Sequence, residues 1–483
     1  MTQPAGAIRA AGPRFRLRIP RIPVPSAGVP RRLPWYVKSL LAYLAAITII
    51  GKGPTYLGVP PLYWGEATMA VGLLLIAPQI KRTDFLQRSR TLTIAIAGFM
   101  VLGGVLTIQS YPQWHMDALR DAAIWYYALF YFIGLGLASQ EAVANRVWYL
   151  LRNIWILALI WNTADLLLQH ALSQSGPIIP WRGVPLFFNA RDEAGQNLAL
   201  GAMIVLCTGT LWKRPAMRAV LVPVALVGLA AFAASEGRAM RIGIVSGASV
   251  ILLLSFAPSG MPHFNTRLLK LAVCAIPVLA LVVAAAPDRV VKLTHLDRFA
   301  EADPYNAEGT AGWRLIWWQR LYAEVMKRNP AFGLGFGESL HVYHPLLRDS
   351  QEEFVVRSPH NFNITIFTRM GVVGLLLWIT IVVAGIGALF GRVWRGSARG
   401  QPYTPERRDE LTFWVMMLVC TVVNSSLGVL MEGPVLGIWF WFALGFAFAR
   451  SLSSGVVLRR RITTPRAEDR AGSGLLHPAQ VIS

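Results

Sequence analysis

The chain has 483 residues, of which 54% are hydrophobic and only 15% charged, and it carries a formal net charge of +21. Apolar runs recurring roughly every twenty residues exclude an ordinary soluble domain and define an all-α, polytopic membrane protein. The positive charge follows membrane topology along the chain, which sets aside nucleic acid as its partner.

The first segment, 1–35, holds Arg9, Arg14, Arg16, Arg18, Arg21, Arg31 and Arg32 with no acid among them, interleaved with prolines that forbid a helix. It is expected to be a disordered, cytoplasmic tail. No secretory cleavage pattern follows, so the first apolar run reads as a retained span. Spans are expected near 36–51, 62–79, 91–108, 122–138, 147–168, 194–212, 218–235, 241–257, 267–286, 361–390, 411–430 and 435–453, about twelve in all. The first nine form a membrane domain over 36–286 and the last three a second stretch over 361–453. With the amino terminus inside, one set of connections collects Lys81, Arg82, Arg88 and Arg90, then Arg146, then Lys213, Arg214 and Arg218, then Arg267 and Lys270, then Arg392, Arg395, Arg399, Arg407 and Arg408. The opposite connections are short or mixed in sign, as the positive-inside rule requires, and both termini are placed in the cytoplasm. Cys207, Cys274 and Cys420 all fall inside apolar spans, so neither a disulfide framework nor a thiolate metal site is expected.

One outer connection, 287–360, is far longer than the others. Within it, residues 312–329 read GWRLIWWQRLYAEVMKRN, with Trp313, Ile316, Trp317, Leu321 and Val325 at helical spacing. The spacing predicts an amphipathic helix lying on the outer membrane boundary, where Trp and Tyr rings are favoured. Pro330 ends it. Gly333, Gly335 and Gly337 then permit a tight backbone path close to something else, which on its own is weak evidence of phosphate binding. His341 and His344 share HxxH spacing, but no acidic or thiol partner stands at ligand distance in sequence, so no metal is expected.

The loop runs into SPHNFNITIFTRMGVVG (358–374), which places His360, Asn361 and Arg369 at the mouth of an apolar span. Arg369 follows His360 by about 13 Å of helix, a depth at which a guanidinium needs a water-filled pocket or a charged ligand. Glu66, Asp165, Arg191, Glu236, Arg238, Arg241 and Glu432 also fall at or just below the outer ends of their spans. Each arginine taken singly can pair with an acid or snorkel to the interface. Taken together, their excess over acids near this stretch favours an anionic ligand. Arginine suits a diphosphate because its planar fork makes bidentate, charge-assisted bonds.

Three blocks in order, GRAMRIGIV (237–245), GWRLIWWQRL with NPAFGLGFG (312–337) and SPHNFNITIFTRMGVVGLLLW (358–378), resemble the signature of the bacterial O-antigen ligase and polymerase superfamily. That pattern is a small residue and Arg opening a span, an Arg-x-x-x-Trp helix leading to a Gly-x-Gly turn, and His-Asn at the next span followed by Gly-x-x-Gly. The amino-terminal half matches only in being hydrophobic. The resemblance implies a glycosyltransferase of the bacterial inner membrane. It would need no metal or cofactor, taking a glycan from undecaprenyl diphosphate and passing it to an acceptor hydroxyl on the periplasmic side. The family's two arginines and one histidine map onto Arg238, Arg314 and His360. Two departures are present: the usual Ser-Arg is Gly237-Arg238 with an extra Arg241, and Arg369 occupies a position that is often acidic or polar. Arg241, Arg191, Arg369 and Asn361 are therefore expected as further diphosphate or glycan ligands.

The chemistry is reasonable on the residues themselves. Displacement at an anomeric carbon needs its diphosphate leaving group stabilised, and preorganised guanidinium groups can do this where other enzymes use Mg²⁺. His360 can accept the acceptor's proton, donate to phosphate, or cap the following helix. The resemblance favours O-antigen ligation to lipid A–core, with an O-antigen or exopolysaccharide polymerase acting on a second lipid-linked glycan as the alternative and a transporter or flippase of a lipid-linked sugar as the second alternative. No internal repeat is visible and the charges lie at one face, which disfavours transport. The tail, 454–483, carries no expected activity.

Overall fold

The computed structural model describes residues 32–59, 62–80, 89–172, 175–181, 183–189, 191–207, 214–234, 238–257, 310–343, 358–398 and 400–453. The expected span at 267–286, the first stretch of the long connection and both tails lie outside these residues. The described chain is helical apart from three two-residue antiparallel hairpins at helix connections.

The helices in order are α1 (Trp35–Ile49), α2 (Trp64–Ile80), α3 (Arg90–Trp114), α4 (Met116–Asp121), α5 (Ala123–Tyr126), α6 (Leu129–Ser139), α7 (Glu141–Leu167), α8 (Arg191–Cys207), α9 (Pro215–Ala234), α10 (Arg238–Ser255), α11 (Thr310–Arg328), α12 (Phe362–Arg395), α13 (Pro405–Ser425) and α14 (Pro434–Arg450). Among the described residues, five stretches are long and apolar enough to cross a membrane: Arg90–Trp114, Met116–Ser139, Glu141–Leu167, Pro215–Phe232 and Phe362–Arg395. Shorter apolar helices cover Trp35–Ile49, Trp64–Leu75, Met240–Ser255 and Pro434–Arg450. Helices stand where eleven of the spans were expected, and among the described residues five stretches meet the length and hydropathy that crossing requires.

Burial explains why the helices are apolar on every side. In α3, Leu92, Ile96 and Phe99 are buried against the bundle, while Ile94, Val101 and Ile108, seven residues apart, are exposed in one stripe. A stripe of β-branched residues facing outward is stable only against an apolar solvent, so this outer face belongs to lipid. Helix α14 is the opposite case: every residue from Val435 to Arg450 is buried, which makes it the axis of the bundle. It can sit there because Gly134 of α6 lies on the Phe442 carbonyl and Gly445 on the Tyr131 carbonyl, leaving no room for a Cβ at either crossing.

At the carboxyl end of α14 the bundle is closed by ions. Arg450 donates to Glu410 from Nε and Nη2, each at 2.7 Å, and to Glu141 at 3.1 Å, while Arg407 pairs with Glu141 and Glu410. Two cations thus meet two carboxylates, the condition under which buried charge is tolerated.

The polar segment built around His360 lies at the other end, about 50 Å away along the 34 residues of α12. That helix is broken once, at Gly371, whose φ of 65° and ψ of −164° are non-helical. The break frees donors and acceptors, and the turn after α11 takes them up. Val372 and Val373 donate to the carbonyls of Pro330 and Ala331 at 2.9 and 3.1 Å. Leu334 and Gly335 donate to the carbonyls of Thr368 and Arg369 at 2.8 and 3.2 Å. The glycine trio therefore serves a close backbone approach to the α12 kink. Gly333 has a φ of +75°, and a Cβ there would stand 2.6 Å from the Thr368 carbonyl oxygen.

Candidate active site

Helix α11 is fixed by its tryptophans. Trp317, Leu321 and Val325 are fully buried, and Trp317 donates from Nε1 to the Leu340 carbonyl at 3.1 Å. The stripe read as facing the membrane boundary is turned inward instead, against Leu340 and Ile364, because the loop supplies its own apolar cover. The exposed apolar side chains of α11 are Leu315, Tyr322 and Met326, with the Tyr322 ring stacked on Phe367 of α12.

This packing brings Arg314 and His360 together around one ring. The Arg314 guanidinium lies 5.3 Å from the centre of the Trp313 ring, and the His360 ring meets Trp313 edge-on at 5.8 Å. Trp318 ties the same segments by donating to the Pro359 carbonyl at 2.7 Å. Arg314 Nη1 also donates to the Leu427 carbonyl at 3.2 Å, just past the end of α13. His360 has a φ of 56°, a left-handed conformation that a non-glycine residue adopts only when its surroundings fix it.

The helix that follows is capped by Asn361, not by His360. The Asn361 side-chain oxygen accepts from the backbone N–H of Asn363 and Ile364 at 3.0 and 3.2 Å. Expected as a ligand-binding amide, Asn361 has that oxygen committed to the cap, leaving the imidazole outside that duty. The Asn363 side chain donates to Ser426 at 2.9 Å and accepts from Trp378 at 2.9 Å, which anchors the start of α12 to the end of α13.

The same end of α13 receives the starts of two more helices. Helix α10 runs antiparallel to α13: a Cβ at Gly243 would stand 3.0 Å from Asn424 Cβ, and one at Gly247 would stand 3.2 Å from Met416. Arg238, which opens α10, therefore lies roughly 7 Å beyond the level of Asn424, past the last turn of α13. Arg241 is half-buried one turn along. Helix α8 opens at Arg191, and its Gln196 bonds Thr421 and Asn424 at 2.7 and 3.0 Å. The backbone thus carries Arg191, Arg238, Arg314 and His360 to one end of the bundle from four separate segments.

Arg369 departs from its expected setting. Its side chain is buried and pairs with Asp121 at 2.8 Å, while Nη1 donates to the Gly335 carbonyl at 3.2 Å. Asp121 in turn accepts from the backbone N–H of Gly337 at 3.1 Å. The charge sought in a ligand or a water-filled pocket is supplied by a protein carboxylate, so Arg369 clamps the glycine turn to the kink. Sequence reasoning missed Asp121, which with Asp117 stands just before an apolar stretch. Other acids at this end also have internal donors, since Glu66 accepts from Tyr126 at 3.1 Å and from Tyr127 at 3.4 Å.

Glu432 completes the set. Its Oε1 accepts from Ser358 and from Thr365, each at 2.7 Å, and Ser358 Oγ accepts from the His360 backbone N–H at 3.2 Å. Enclosure pushes the Glu432 carboxyl up to about 7, against the opposing pull of these two hydroxyl bonds. In the same loop as His360, His341 Nδ1 shares a 2.6 Å hydrogen bond with Ser339; His344 lies outside the described residues.

A multi-helix membrane protein that gathers a guanidinium, an imidazole and a titratable carboxyl at one end of its bundle is the class these features define. Residues 223–379, less than half of the chain, match the family model described as O-antigen ligase, which supports a place for this stretch in the O-antigen ligase and polymerase superfamily. The matched stretch contains Arg238, Arg241, Arg314, His360, Asn361 and Arg369 and excludes Arg191 and Glu432. No curated protein matches the chain.

Proposed function

We propose that the protein transfers a glycan from undecaprenyl diphosphate to an acceptor hydroxyl at the periplasmic face of the inner membrane, without a metal, and that the acceptor is lipid A–core. The observation that carries this reading is the shared contact of Arg314 and His360 with Trp313, at the end of α13 beyond which α10 opens with Arg238. The superfamily match supports glycosyl transfer of the O-antigen ligase type.

In this reading Arg238 and Arg314 hold the diphosphate. The acceptor oxygen attacks the anomeric carbon, the bond from that carbon to the diphosphate oxygen breaks, and the leaving group departs with its charge on the two guanidinium forks. The acceptor's proton passes to the His360 imidazole. Arg191 and Arg241 extend the basic lining, and Arg369 and Asn361 act by holding the glycine turn and the start of α12 in place.

The test is transfer by the purified protein, with and without chelator, from an undecaprenyl-diphosphate glycan to lipid A–core or to a second lipid-linked glycan. Transfer to lipid A–core in the presence of chelator is the expected result. Chain lengthening alone would assign a polymerase, and absence of transfer to either acceptor would refute the reading.

A further inference from the structure

At the end of the bundle remote from His360, a cavity of about 370 Å³ opens between the carboxyl end of α12, the following hairpin and the segment after α14. Its charged lining is Arg392 and Arg395, joined by Ser397, Gly400 and Ser451. Arg392 is held in place: Nη1 donates to Ser451 Oγ at 2.7 Å, and its guanidinium lies 4.5 Å from the centre of the Phe448 ring. Among the described residues no carboxylate forms an ion pair with Arg392 or Arg395, although Arg407 and Arg450 at the same end each have such partners. The α12 carboxyl terminus offsets roughly half a charge, which leaves the cavity positive by more than one.

We infer that this cavity binds a phosphate-bearing anion, the headgroup of an anionic membrane lipid. Two guanidinium forks without a carboxylate fit a phosphodiester, and each keeps donors unused by its internal bonds. The cavity volume accommodates a glycerophosphate. The source is indicated by the helix that carries the arginines. Leu376, Ile379 and Val383 of α12 are exposed on an apolar face, so its last turn stands at the boundary of the lipid layer, where basic pockets between helices collect anionic headgroups. The positive-inside distribution of the sequence makes this the cytoplasmic leaflet.

The experiment uses the full chain in detergent, titrated with phosphatidylglycerol, phosphatidylcholine or soluble glycerol 3-phosphate, and reads bound ligand by native mass spectrometry. Phosphatidylglycerol should bind at one molecule per chain and phosphatidylcholine should not. R392Q/R395Q should lose about thirtyfold in affinity, from roughly 1 kcal/mol per arginine. R395Q alone, which leaves the Arg392 bond to Ser451 intact, should lose about fivefold and guards against failure of the double variant to fold. Displacement of the lipid by millimolar glycerol 3-phosphate would support the phosphate chemistry and assign a soluble ligand instead. Equal binding of the two lipids, or unchanged phosphatidylglycerol binding in R395Q, would overturn the inference.

Discussion

Asp121→Asn is expected to destabilise the protein by about 3 kcal/mol, although it removes only one charge and almost no volume. The magnitude follows from the surroundings of Arg369. Its side chain is 2% exposed and that of Asp121 10% exposed, with 2.8 Å between nitrogen and oxygen. Removing one partner of such a pair leaves an uncompensated buried cation, at about 3–5 kcal/mol. The lower figure applies because Asn retains an acceptor for the Gly337 N–H and Arg369 retains the Gly335 carbonyl. Removing both charges, as Asp121→Leu with Arg369→Met, should restore much of the loss. The unpaired Gly335 carbonyl would still cost about 1–3 kcal/mol. The assay is thermal unfolding in detergent followed by tryptophan fluorescence, with a double-mutant cycle to isolate the pair. A cycle in which Asp121→Asn falls within about 0.5 kcal/mol of the unmodified protein would refute the clamp.

Three further outcomes are expected. Glu432 holds its proton longer folded than unfolded, so stability should fall as pH rises from about 4.5 to about 7 and level off above; the span corresponds to at most about 3 kcal/mol, less for the residual solvent contact of the group. In Glu432→Gln this slope should become shallower, and an unchanged melting profile between pH 5 and 8 would contradict the assignment. Gly371→Ala should cost about 2 kcal/mol or more, since φ is +65° and a Cβ would overlap the Ala331 carbonyl, and wild-type melting in that variant would rule out the kink. His360→Ala should insert and melt normally because Asn361 supplies the cap, yet transfer no glycan; loss of the folded protein instead would make the histidine structural.

Local features were the most legible in the sequence. Apolar runs gave the helices, and the blocks carrying Arg314, Gly333 to Gly337 and His360 marked the segments that meet. Pairings across long separations were not. Asp121 and Arg369 are 248 positions apart, and nothing local to either shows which carboxylate a buried arginine will take. The same limit reversed the reading of α11: periodicity showed that Trp317, Leu321 and Val325 share a face, but not that Leu340 and Ile364 would cover it. The glycine trio suggested a close approach without revealing its partner, because the break at Gly371 exposes backbone groups only once α12 is in place.

The central claim is tested most directly by the rate of glycan transfer from undecaprenyl diphosphate in Arg314→Lys, measured on protein whose melting matches the unmodified chain. Lysine keeps the charge and loses the planar fork, so transfer should fall by about 10²–10³ if Arg314 clasps the diphosphate as the bond breaks. A rate equal to that of the unmodified protein would contradict the account.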